Sequence, residues 1–246
     1  MQSNPQKEFG LIVIGDEVLF GQREDRHLAH FRSLLRSRGQ QLTRCWLLSD
    51  DAAMLTEHLR FSLQRPLPVF VCGGIGATPD DLTRACAAEA AGLSLTRHPE
   101  AAALIEARFG EEAYPIRIRM ADLPEGSRLI PNPYNQIAGF SIGHHHFLPG
   151  FPEMAWPMAA WVLDNHYPAG IPTLVEASFE IIGTAESRLV PIMEAMEVRF
   201  PGLKLYSLPR LGADGSIELG MRGTGDIDSA MQQLAAALQA AGIAFR

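Results

Sequence analysis

Residues 9–14 form a compact apolar run that ends at Gly15, the pattern of a strand covered on both faces. Leu28, Phe31, Leu34 and Leu35 then recur at helical spacing over 26–37, and Gly39 is placed to end that helix. A second strand is expected over 42–48, a second helix over 51–63 and a third strand over 67–72, which runs into Gly73-Gly74-Ile75-Gly76. This β-α-β-α-β alternation predicts an α/β domain whose mostly parallel sheet has right-handed crossovers and helices on both faces.

Beyond the glycines, helices are expected over 80–91, 99–109 and 153–165, with short extended pieces at 129–131 and 144–148. Pro168 to Pro172, with Ala169-Gly170-Ile171 between them, breaks any regular element and marks a domain boundary. The pattern then changes to a strand over 174–182, a helix over 185–200, strands over 204–208 and 217–221 around Ala213-Asp214-Gly215, and a helix over 227–241. Two domains are expected, 8–168 and 172–246, the second a small α+β layer with an open sheet.

Of the 246 residues, 47% are hydrophobic and 20% charged, enough to bury a core and unlike a disordered chain. The longest apolar runs, such as 11–14 and 68–72, fall far short of the roughly 18 residues that span a bilayer. No membrane partner is expected, and the polar N-terminus lacks a secretion signal, so the expected location is cytoplasmic. A net charge of −7 with scattered arginines argues against nucleic acid. It leaves room for a small anion held by backbone amides, which needs no net positive charge. Cys45, Cys72 and Cys86 lack paired metal-type spacing and read as small buried thiols.

The strongest chemical signal is Cys72-Gly73-Gly74-Ile75-Gly76-Ala77-Thr78-Pro79-Asp80-Asp81-Leu82-Thr83, a glycine-rich turn between an apolar strand and a helix. Glycines permit positive φ and close backbone approach, so successive N–H groups can face a phosphate at the helix start. Asp80 and Asp81, expected in the first helical turn, would repel that phosphate unless a divalent cation lay between them. The same residues also fit a purely structural arrangement, with Thr78 or Asp80 capping the helix and Asp81 complementing its dipole.

Five ordered segments make the pattern specific: Ile14 to Gln22, Gly73 to Thr83, Leu123-Pro124-Glu125-Gly126, Pro131-Asn132-Pro133 and Leu148 to Met154. Over about residues 8 to 165 the chain resembles the molybdenum-cofactor-biosynthesis (molybdopterin-binding) domain, in the version at the front of competence/damage-inducible CinA-type proteins. Residues 172–246 resemble the small KH-like domain that follows there, without the basic Gly-x-x-Gly clamp of RNA binders. The amidohydrolase domain of longer CinA-type proteins has no counterpart in these residues, so deamidation of nicotinamide mononucleotide is not expected.

The resemblance implies a three-layer, doubly wound domain that binds molybdopterin or a nucleotide diphosphate at the C-terminal edge of its sheet. It implies essential aspartates at Asp81 and at Asp50 or Asp51, of which Asp50 is the better candidate. It also implies a divalent cation, Mg²⁺, Mn²⁺ or Co²⁺, held by Asp80 and Asp81. Gly73, Gly74, Gly76, Thr78 and Thr83 then form the phosphate cradle, and Asp16, Glu17, Pro149, Gly150 and Glu153 contact the ligand. Three readings follow: a metal-dependent pyrophosphatase acting on ADP-ribose-like dinucleotides, a molybdopterin nucleotidyltransferase, and a noncatalytic binding or scaffolding protein of the same fold. Homo-oligomers are common in the wider family, so one is expected here.

The chain departs from the family at Ala77, Pro79 and His27, and Tyr134-Asn135-Gln136 replaces a usual small-residue turn. Ala77 and Pro79 stand where CinA-type domains usually read Gly-Pro-Thr-His-Asp-Asp, and Asp25-Arg26-His27 replaces the usual Asp-Thr-Asn. Losing a loop histidine and an asparagine removes two polar groups near the phosphate site and favours a domain that binds but turns over slowly. His144-His145-His146 is expected at an exposed hairpin end, because neighbouring side chains on a strand face opposite ways and only two of the three could share a metal.

Overall fold

Strand β1, Glu8–Ile14, is buried at every position after its first. It runs parallel to β2, Gln41–Leu48, on one side and to β3, Val69–Cys72, on the other. The computed structural model describes residues 8–167, 175–210 and 215–246, so the expected boundary at Pro168 to Pro172 and the turn at Ala213-Asp214 lie outside the described residues. The chain forms two compact units, 1–170 and 171–246.

In the first unit, β8 (His145–Leu148) pairs parallel with β3, β7 (Gly139–Ile142) pairs antiparallel with β8, and β6 (Arg128–Ile130) pairs antiparallel with β7. The order β2-β1-β3-β8-β7-β6 is therefore a mostly parallel sheet with an antiparallel flank. A separate antiparallel pair joins β4 (Leu95–Arg97) to β5 (Asp122–Pro124). After the short helix α1 (Asp16–Leu19), longer helices cover both faces. Leu55 and Leu59 of α3 (Ala52–Leu63), Cys86 and Ala87 of α4 (Thr83–Ala91) and Ile105 of α5 (Pro99–Phe109) pack against Ile12, Val69, Val71 and Phe147. On the other face, Phe31 and Leu35 of α2 (His27–Arg36) and Met158 and Val162 of α6 (Pro152–His166) pack against Leu11, Val13, Phe70 and Leu148. The alternation of inward positions along β1 supplies both layers. The expected α/β architecture of three layers is present.

Several local expectations are corrected. The helix expected from residue 80 begins at Thr83, because Asp80 and Asp81 lie in a turn whose side-chain bonds compete with helical pairing. His145 and His146 are fully buried on β8 rather than exposed. They do face opposite sides: His145 meets the Ser62 hydroxyl of α3 at 2.8 Å, and His146 bridges the hydroxyls of Ser141 (2.9 Å) and Tyr167 (2.8 Å). Burial pushes each ring down to about 3, so both are neutral. Cys72 and Cys86 are buried, but Cys45 is exposed because β2 is the sheet's edge.

The second unit orders its strands β10 (Leu203–Arg210), β11 (Ser216–Gly223), β9 (Val175–Ile182), all antiparallel. One face carries α7 (Val190–Arg199) and α8 (Ile227–Ala240) over a core of Ile181, Leu205, Leu219 and Leu234. The helix expected over 185–200 is divided into a 3-10 turn, Glu186–Arg188, and α7, since Pro191 is confined to a helix's first turn. Among the described residues no helix is long and apolar enough to cross a membrane.

Candidate functional site

The C-terminal ends of β1, β2, β3 and β8 meet along one rim of the first sheet, the edge where parallel sheets hold ligands. At the end of β3 the chain turns through Gly73 (φ 116°) and Gly74 (φ 66°). A methyl group on Gly73 would lie 2.3 Å from the Ile14 carbonyl oxygen, so β1 and this turn touch backbone to backbone. Thr83, fully buried at the start of α4, fixes the turn: its N–H donates to the Gly74 carbonyl (3.0 Å) and its hydroxyl to the Gly73 carbonyl (2.9 Å). The loop after β8 closes on the same point, where a methyl on Gly150 would lie 3.4 Å from the Gly73 Cα.

Asp81 turns inward. One carboxylate oxygen accepts the Gly76 N–H (2.8 Å), and the other accepts the Thr78 N–H (2.8 Å) and hydroxyl (2.6 Å). Both oxygens are thus committed within the loop, and the Gly76 and Thr78 donors point at Asp81. Arg84, which is 8% exposed, supports this loop from below by donating to the carbonyls of Gly76 (2.6 Å), Asp122 (3.1 Å) and Arg119. Burial lowers its proton affinity, which Asp81 and Asp122 partly restore.

The other acidic residues gather beside β1. Asp50 accepts the Asp16 N–H at 3.0 Å, and Asp16 accepts the Asp50 N–H at 3.3 Å. Each keeps one carboxylate oxygen without a protein donor among the described residues. The Asp50 carboxyl is held above its usual range by burial, and the nearby Asp16, Glu17 and Asp80 charges add to this against the Asp16 N–H. Glu17 folds back beneath Gly15, and Glu153 is exposed and pairs with Arg26 at 3.7 Å.

The rim therefore has two chemically distinct sides. On one, the N–H groups of Gly74, Ile75, Gly150 and Phe151 have no protein acceptor among the described residues. On the other stand the carboxylates of Asp16, Glu17 and Asp50. Among the described residues no three His, Cys, Asp or Glu side chains converge on a metal position, and both Asp81 oxygens accept hydrogen bonds from within the loop. Sequence reasoning passed over two residues. Arg84 gave no signal beyond a cation in an Ala-rich helix. His27, counted only as a lost asparagine, begins the inward stripe His27, Phe31, Leu35, a spacing that marks it as buried.

Residues 10–168 match the family described as "Probable molybdopterin binding domain". A CinA-like protein of Geobacter sp. (strain M21) is 35% identical over 196 residues, covering 75% of this chain and 46% of its own length. Protein Ta0487 of Thermoplasma acidophilum is 27% identical over 240 residues, covering 92% of this chain and 91% of its own. A solved structure titled "The crystal structure of the protein CinA with unknown function from Thermoplasma acidophilum" superposes with a TM-score of 0.59 at 28% identity, over 65% of this chain and 98% of that one. The chain spans about half the length of the CinA-like proteins it matches.

Proposed function

The chain belongs to the molybdopterin-binding domain family, and from that premise we propose that its rim binds a pterin or nucleotide ligand that carries a diphosphate. The observation that carries this reading is the pairing of two unlike sides. The amides of Gly74, Ile75, Gly150 and Phe151, which have no protein acceptor among the described residues, suit phosphate oxygens. The free oxygens of Asp16 and Asp50 suit the hydroxyl or amine donors of a sugar or pterin. Phosphate placed on the amide side avoids the carboxylates of Asp16, Glu17 and Asp50.

Titration calorimetry of the protein with ADP-ribose, in buffer containing a chelator, tests it. Saturable binding that is lost in Asp16→Ala and kept in an exposed variant at the far end of α3, such as Gln64→Ala, is expected. No heat of binding, or equal binding by Asp16→Ala, would refute it.

Asp50 favours a second reading, phosphoanhydride cleavage. A carboxyl whose proton affinity is raised at the rim suits a general base that orients water. ADP-ribose hydrolysis that Asp50→Asn abolishes while binding persists supports it, and intact ADP-ribose after prolonged incubation with and without Mg²⁺, Mn²⁺ or Co²⁺ leaves the noncatalytic binding protein.

A further inference from the structure

His27 is 4% exposed at the start of α2, and its Nε2 lies 3.0 Å from the Gly150 carbonyl oxygen, 123 residues away in the chain. A carbonyl only accepts, so the ring proton sits on Nε2. Nδ1 is buried with no partner among the described residues, its ring packed near Phe31 at 6.3 Å between centroids. The opposite tautomer or a flipped ring would leave the Gly150 carbonyl without this donor.

The Gly150–Phe151 peptide is trans, so its N–H points opposite to its C=O. A Gly150 carbonyl drawn to His27 therefore turns the Phe151 N–H away from α2. That N–H has no protein acceptor among the described residues, and no side chain caps the start of α6 beside it. Gly150 meanwhile packs on Gly73, which places this amide next to the diglycine turn.

We propose that His27 is a positioning residue: its Nε2–H holds the Gly150 carbonyl and so aims the Phe151 N–H at the phosphate of the bound ligand. The proposal rests on the reading of the rim as a diphosphate site. An asparagine at this position ends where Nδ1 now sits and cannot reach Gly150, whereas a glutamine amide extends to the place of Nε2.

Nitrogen-15 NMR of the full chain, alone and with ADP-ribose, tests it on the wild type and on His27→Phe, His27→Gln and His27→Asn. The unliganded wild type should show a proton on His27 Nε2. The Phe151 amide resonance should move in His27→Phe and His27→Asn and stay near its wild-type place in His27→Gln. ADP-ribose affinity should fall about fivefold to tenfold in the first two, as expected for one lost hydrogen bond, and recover in the third. A bare Nε2, or a Phe151 amide that ignores His27→Phe, would overturn the proposal whether or not ligand binds. Should His27→Phe fail to fold, the ring tautomer in the wild type and the Asn and Gln pair decide. A wild type that binds no ADP-ribose overturns the reading of the rim, while the tautomer and the Phe151 shift still judge the hold on Gly150.

Discussion

Asp16 and Asp50 each accept the other's backbone N–H, which ties the end of β1 to the end of β2 through two carboxylates held side by side. Because burial and neighbouring charge raise the proton affinity of Asp50 above the ordinary 3.8, the folded chain binds this proton more tightly than the unfolded chain does. The stability it contributes is present below the ordinary value and is lost as pH rises through the folded value. Asn keeps an acceptor and never ionises. Asp50→Asn should therefore melt about 1–3 °C above wild type at pH 7, with the gap closing toward pH 3. Thermal melts at both pH values check this, and an equal gap at both would contradict it.

Gly73 and Gly143 both have positive φ, but only Gly73 is crowded by backbone, since a Cβ at Gly143 would meet nothing within 4 Å. Gly143→Ala should cost about 1 kcal/mol from conformation alone. Gly73→Ala must also separate the β3 turn from the Ile14 carbonyl, and should cost several times as much and abolish ADP-ribose binding. Urea unfolding of the two variants gives the comparison.

Asp81 acts through the loop it ties. Replacing it with Ala frees the Gly76 and Thr78 amides, so their hydrogen exchange should accelerate at least about tenfold, with a loss of about 1–2 kcal/mol in stability. Asp81→Asn keeps an acceptor for one of the two amides and should fall between. Exchange rates unchanged in Asp81→Ala would show that the carboxylate is directed elsewhere in solution.

Two neutral buried histidines set an acid limit. His145 and His146 bind a proton near 6.5 when unfolded and only near about 3 when folded. The unfolded chain therefore takes up protons first, and stability should fall as pH drops from about 6.5 toward about 3, on the order of a few kcal/mol for each ring. Ser62 keeps a bond to the Leu59 carbonyl without His145, so His145→Phe should retain most stability at pH 7. Its denaturant midpoint should vary less with pH across that window, and a slope as steep as wild type would count against the account.

Periodicity made the alternating strands and helices of the first unit readable, because each buried stripe repeats within a few residues. Strand β7 was missed: Gly139–Ile142 has only four residues and gains its identity from β6 and β8 on either side. The glycine turn was legible as a backbone feature, since few residues other than glycine tolerate the close approach at Gly73. The direction of Asp81 was not, because the same five-residue spacing lets it face a ligand or reach back to Gly76. His27 and Gly150 lie 123 residues apart, and no local pattern joins them. Cys45 and the histidines of β8 show the converse: their exposure follows from which strand lies at the edge, and that depends on the whole sheet.

The central claim is that a diphosphate sits on the amide side of the rim. An amide-resolved NMR titration with ADP-ribose addresses it most directly. Saturable shifts concentrated at Gly74, Ile75, Gly150 and Phe151, absent in Gly73→Ala, are the predicted result. Shifts confined to the second unit, or spread evenly over the surface without saturation, would contradict it.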